Sequence, residues 1–196
     1  MGGLCKPDIH RGCTLRGSHA HQLRSPSLWF NHYMLIRPAT LTDVPAMLDI
    51  YNWAVLNTTA TNDYEPYTLA QRTAWFELHQ RDQYPVWVAE AEGQVVGWSS
   101  LSRYKERVGY RFTAEDSIYI VPAFHGRGLG QRLLPPLIDA ARALNLHAIV
   151  AGIDSENEAS LRLHARFGFE QVAHFKQVGY KFGRWLDVIY LELLLT

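Results

Sequence analysis

The 196-residue sequence holds only two cysteines, Cys5 and Cys13, both close to its N-terminus. That argues against a disulfide framework and leaves the rest of the chain suited to a reducing compartment. Neither charge is in surplus, since 19 Lys and Arg face 19 Asp and Glu. Without a basic excess there is no global field to attract nucleic acid, and without an acidic excess there is no signature of disorder. No apolar run approaches the roughly 18 residues that would span a bilayer. The glycine-rich segment is not followed by Gly-Lys-Ser/Thr, so it is no P-loop, and it lacks the dinucleotide fingerprint spacing. What is present is 47% hydrophobic residues and 19% charged ones, which suits one globular domain with a sizeable core. The expectation is a cytoplasmic protein with no nucleic-acid or membrane partner.

Composition changes near residue 33. Before it stand Lys6, Arg11, Arg16 and Arg24 against the single acid Asp8, with no helical or strand period. Basic residues open a signal peptide too, but no apolar run follows them. Cys5, His10, Cys13 and His19 are of the types that hold zinc, yet their spacing fits no strong finger pattern, so no metal site is expected. Residues 1–33 read as a disordered extension, or as a stretch upstream of a true start at Met34. Residues 34–196 read as the folded domain.

Within that domain, Met34–Arg37 reads as a short strand. Thr42 or Asp43 can cap a helix whose apolar face is Val44, Met47, Leu48, Tyr51 and Val55. Leu69–Arg81, with Trp75, Phe76 and Leu78, reads as a second helix. Pro85 opens a strand at Val86–Glu90, and a turn at Glu92-Gly93 joins it to Val95–Leu101 as a hairpin. After a polar loop from Ser102 to Thr113, Ser117–Val121 is apolar on both faces, as a central strand is. A glycine-rich turn then leads into a helix with Leu129, Leu133, Leu137, Ala141 and Leu144 on one face. Pro135 and Pro136 fall inside it and predict a kink. His147–Ile153 reads as a buried strand and Asn157–Phe167 as a helix that Gly168 ends. Val172–Val178 and Leu186–Leu194 close the chain as strands. The fold class is α/β (α+β), a mixed sheet with helices on both faces.

A strand, a glycine-rich turn and a helix N-terminus together form an anion site. The first N–H groups of the helix have no internal partner, and its dipole favours negative charge. Gly126, Gly128 and Gly130 let backbone approach a diphosphate, and Arg127 can add charge. On these residues alone, a phosphate site and a simple turn both remain open.

The wider context carries a resemblance. The run from Tyr119 through Val121, Pro122, His125, Gly126, Arg127, Gly128 and Leu129 to Gly130 resembles motif A of the GNAT acetyltransferase superfamily. The run from Asn157 through Ser160 and His164 to Phe169 resembles its motif B. Further segments are similar to the phosphinothricin and methionine sulfoximine N-acetyltransferases: Ile50–Leu56, Arg111–Ile120, Ala151–Asn157 and Gln177–Asp187. The similarity spans about residues 34–195. His125 departs from the family's usual Gln or Arg.

This resemblance implies a mostly antiparallel sheet of about six or seven strands. It also implies acetyl-CoA as cosubstrate, no metal, and direct acetyl transfer in a ternary complex to the α-amino group of a small amino acid or analogue, of the phosphinothricin, methionine sulfoximine or methionine sulfone type. By the same route, Ile118, Tyr119, Ile120, Gly126, Arg127, Gly128, Leu129, Gly130, Gln131 and Asn157 would bind the cofactor. Val108, Gly109, Tyr110, Arg111 and Glu115 would bind substrate. Glu115 would accept the amine's proton or orient the amine. His164 stands where many relatives have a tyrosine proton donor; imidazole can do that work, or it can be a satisfied structural residue. Lys181, Arg184 and Trp185 lie in a segment that approaches a neighbouring subunit in relatives, which implies a homodimer. Two other readings are a peptide or protein N-terminal acetyltransferase and a non-catalytic acyl-CoA-binding module.

Overall fold

A computed structural model describes residues 34–195. The expected extension over residues 1–33, with its cysteines and histidines, lies outside the described residues. The order of elements is β1 (Met34–Pro38), α1 (Val44–Asn57), α2 (Leu69–Arg81), β2 (Val86–Ala91), β3 (Gln94–Arg103), β4 (Thr113–Ile120), α3 (Leu129–Ala143), β5 (Ala148–Asp154), α4 (Glu158–Arg166), β6 (Glu170–Lys181) and β7 (Arg184–Leu194). The strands form one seven-stranded sheet in the order β1-β2-β3-β4-β5-β7-β6. Every neighbouring pair is antiparallel except β4 and β5.

Helices cover both faces. On one, Val44, Met47, Ile50, Tyr51 and Val55 of α1 join Phe76 of α2 against Val86, Val88 and Trp98. Leu48, expected on that face, is only half-buried, and Ile50 takes its place. On the other, Leu134, Leu137, Ile138 and Ala141 of α3 pack on Leu101, Ala114, Ile149, Ala151 and Ile153. Pro135 and Pro136 do not end α3. Their missing N–H groups fall against carbonyls of its first turns.

The first helix starts differently from the cap expected at Thr42 or Asp43. A short 3-10 turn, Leu41–Asp43, precedes α1, and Thr40 stands at its head. The Asp43 carboxylate accepts from the Thr40 N–H at 2.8 Å. It also takes the Arg37 guanidinium in a bidentate pair at 2.7 and 2.8 Å, while Arg37 Nε reaches Glu90 at 2.9 Å. One buried carboxylate thus ties β1 and β2 to the start of α1. The Arg37 hydrogen bond outweighs burial and holds the Asp43 carboxyl at about 2, below its ordinary 3.8. A folded value below the unfolded one means stability that is complete above about pH 4 and lost as pH falls towards 2. Asp43→Asn should therefore destabilise the domain by about 2 kcal/mol at neutral pH. It should also flatten the acid limb of stability, as urea titration at pH 7 and pH 3 would record.

Candidate active site

The parallel pair is the shortest in the sheet. Its register runs Thr113↔Ala148, Ala114↔Ile149 and Glu115↔Val150, and there it stops. Both strands continue, β4 to Ile120 and β5 to Asp154, while staying paired to β3 and β7 on their outer sides. The sheet therefore opens into a cleft directly beyond Glu115. The backbone of Ile118–Ile120 that faces this gap has no strand to pair with among the described residues. Two adjoining cavities fill the opening, of about 580 and 240 Å³, and they share Ala60, Ile118, Tyr119, Asn157 and Ser160.

The larger cavity ends at the glycine-rich turn, with His125, Gly126, Gly128, Leu129, Gly130 and Gln131 in its wall. Gly126 and Gly128 have φ of +71° and +75°, and a Cβ built on either would meet nothing within 4 Å. Both the conformation and the open space therefore suit glycine here. Gly130 serves a different purpose. A Cβ there would lie 2.6 Å from Leu163 Cδ2, so a side chain at this position would require the end of Leu163 to move. No acid stands in the first turn of α3, and its cap residue, Gly128, supplies no side-chain acceptor. The Arg127 guanidinium lies 5.2 Å over the Phe124 ring. His125 Nε2 is 2.9 Å from the Ile120 carbonyl, so this nitrogen carries the proton and the side chain braces strand to turn.

The smaller cavity holds the titratable groups. Glu115, expected just ahead of the strand, lies inside β4, which begins four residues earlier than Ser117. Its carboxylate and the Tyr190 ring converge on Gly152: a Cβ there would be 3.5 Å from Glu115 Oε1 and 3.3 Å from Tyr190 Cε1. Burial, and then the charge of Asp116, push the Glu115 carboxyl above its usual range. Asp116 points to the opposite face of the strand, where its Oδ2 meets His164 Nε2 at 2.9 Å. His164 Nδ1 faces the Ser160 carbonyl at 2.8 Å. Both ring nitrogens therefore point at acceptors, which a doubly protonated ring satisfies. Burial alone would lower the His164 imidazole, but the hydrogen bond and charge of Asp116 win, and the net shift is upward. Asn157 caps α4, its side chain accepting from the Ser160 N–H at 3.1 Å, and it lines both cavities.

Residues 47–169 match the model of the Acetyltransferase (GNAT) family. The chain belongs to the GNAT acetyltransferase family. Its relatives include an L-methionine sulfoximine/L-methionine sulfone acetyltransferase from Salmonella typhimurium, 46% identical over 83% of this chain and 95% of the relative. A phosphinothricin N-acetyltransferase from Streptomyces coelicolor is 41% identical over 80% and 94% of the two chains. A Salmonella typhimurium acetyltransferase solved with acetyl-CoA superposes with a TM-score of 0.83 at 45% identity, covering 84% of this chain and 95% of that one.

The GNAT cleft gathers most of the residues singled out from the sequence. Ile118, Tyr119, Ile120, Gly126, Gly128, Leu129, Gly130, Gln131 and Asn157 all line the larger cavity, and Glu115 and His164 the smaller. Val108, Gly109, Tyr110 and Arg111 line neither. Val108–Tyr110 is an exposed 3-10 turn, and Arg111 lies over the Phe112 ring with Nη1 on the Val108 carbonyl. Lys181, in the segment expected to approach a second subunit, is buried and donates to the Thr61 carbonyl of its own chain at 2.7 Å. Thr61 and Asn62, from the loop after α1, form a wall of the smaller cavity that sequence reasoning missed. Asp116 and Asp154 were missed as well. Both are buried, and Asp116 Oδ1 and Asp154 Oδ2 have no hydrogen-bond partner among the described residues.

His164→Phe would strand the Asp116 carboxylate in the interior. The expected cost is about 3 kcal/mol, partly recovered by adding Asp116→Asn. Because the folded imidazole holds its proton above the ordinary 6.5, its contribution to stability is complete below that pH and declines as pH rises through the higher folded value. Denaturant titrations between pH 6 and 9 would follow both effects.

Proposed function

We propose that this chain transfers the acetyl group of acetyl-CoA to the α-amino group of a small amino acid or analogue, of the methionine sulfone, methionine sulfoximine or phosphinothricin type. The observation that carries the reading is the opening of the sheet beyond Glu115, with an uncapped helix N-terminus at its far end. The residues present fit the cosubstrate. Gly126 and Gly128 leave open space in front of the first N–H groups of α3, which suits a diphosphate. The unpaired backbone of Ile118–Ile120 suits an extended amide-bearing arm, which it can bind as a strand edge binds a peptide. When bound, acetyl-CoA supplies an acetyl thioester open to attack by an amine.

The protein's part lies at the junction of the two cavities. An ammonium cannot attack until it loses a proton. A carboxylate of ordinary acidity is a weak acceptor for that proton, and the buried position of Glu115 makes it a stronger one. A backbone N–H of the β4 edge can stabilise charge developing on the thioester oxygen. His164 has both ring nitrogens engaged within the protein, so we assign it to positioning Asp116 and α4 rather than to protonating the leaving thiolate. The walls from Thr61 and Asn62 suit a small acceptor more than a peptide.

We propose further that the protein is a homodimer, paired through β6 and β7. Phe175, Val178, Tyr180, Phe182 and Trp185 are each 46–61% exposed there, an apolar surface that invites cover. Trp185→Glu should shift micromolar protein from dimer to monomer in light scattering.

Consumption of acetyl-CoA should be fastest with methionine sulfone, methionine sulfoximine or phosphinothricin in a panel of amino acids and short peptides with free N-termini. Preference for the peptides would replace the proposed acceptor. Glu115→Gln should lower kcat at least tenfold with unchanged folding, the loss easing at higher pH as free amine becomes more abundant.

A further inference from the structure

Gly152 is the exposed position of a buried strand. Ala148–Ala151 before it and Ile153 and Asp154 after it are all buried. Glycine inside a strand weakens it, and there it often marks a bulge or a close approach by something else. The ladder between β5 and β7 runs without a shift through Gly152↔Tyr190, so no bulge explains it. Its φ lies outside the left-handed region, so the backbone does not require glycine either.

The space in front of Gly152 belongs to the smaller cavity, and Gly152 is the single glycine in that wall. Glu115 pairs with Val150, and Gly152 follows Val150 by two residues, so Gly152 shares the sheet face of Glu115. A Cβ on Gly152 would lie 3.5 Å from Glu115 Oε1, in contact with the carboxylate, and 3.3 Å from Tyr190 Cε1. The Phe175 ring backs Tyr190 edge to face at 5.4 Å. Between the carboxylate and the tyrosine ring the wall is therefore bare backbone.

We infer that this bare backbone at Gly152 receives the acceptor's α-carbon and so limits the size of what can stand beside the reacting amine; this rests on the amino-acid acceptor proposed above. An amine held by Glu115 brings its α-carbon, with the substituents on it, close to the same carboxylate. That carbon needs a place at van der Waals distance from Glu115, and a side chain on Gly152 would fill such a place. Gly152 is on this account a residue of acceptor specificity that takes no part in cofactor binding, since it does not line the larger cavity.

Steady-state kinetics of wild type, Gly152→Ala, Tyr190→Leu and the double variant would test the assignment, with thermal melting to follow the fold. Gly152→Ala should raise KM for methionine sulfone about tenfold and leave KM for acetyl-CoA the same. The double variant, compared with Tyr190→Leu alone, should show the same rise, because the added methyl group meets the acceptor and not only the ring. Tyr190→Leu removes the 3.3 Å contact, so this pair carries the test even if Gly152→Ala alone fails to fold. An unchanged KM for methionine sulfone, a rise that vanishes in the Tyr190→Leu background, or an equal rise in KM for acetyl-CoA would overturn the role of Gly152 alone. If wild type does not acetylate methionine sulfone, the acceptor reading falls and the inference falls with it.

Discussion

The site depends on a break in hydrogen bonding. Two parallel strands pair for three residues and then part, although each runs on for several more. Unpaired backbone inside a protein is costly, so a gap of this kind persists only where its edges are held from outside. Here β3 holds β4 through Ile120, and β7 holds β5 through Asp154. An extended ligand with its own amide groups is the natural partner for the edge that remains.

The same geometry sets the electrostatics. Alternation along β4 sends Glu115 and Asp116 to opposite faces at the apex of the opening. Asp116 is neutralised by His164, while Glu115 keeps no cationic partner among the described residues. One carboxylate is thereby structural, and its neighbour is kept basic by burial and by proximity to a like charge. His164 itself stands in the wall of the smaller cavity.

Much of this was legible beforehand. The helix expected at about Leu69–Arg81 agrees with the bounds of α2, and the structure adds the reciprocal bonds of Thr68 and Gln71 that box its start. The glycine turn was legible because positive φ and open space are both written as glycine. Gly130 was read with its neighbours, although it has no positive φ and a Cβ there would meet the end of the Leu163 side chain, a contact that the turn itself cannot reveal. The start of β4 was placed late, since Thr113–Asp116 is polar and its burial comes from tertiary neighbours. Asp116 was invisible for a related reason: its partner is 48 residues away. The bond from Lys181 to the Thr61 carbonyl was not legible, because its two partners lie 120 residues apart. Local chemistry marks caps and turns, whereas pairing across the sheet has no sequence period.

The most direct measurement is a crystal structure with coenzyme A and methionine sulfone bound together. The diphosphate should rest on the backbone N–H groups of Leu129–Gln131 and the pantetheine arm should lie between β4 and β5. The acceptor nitrogen should lie within hydrogen-bond reach of Glu115, directly or through one water. Coenzyme A outside the strand gap, or an acceptor amine turned away from Glu115, would contradict the account.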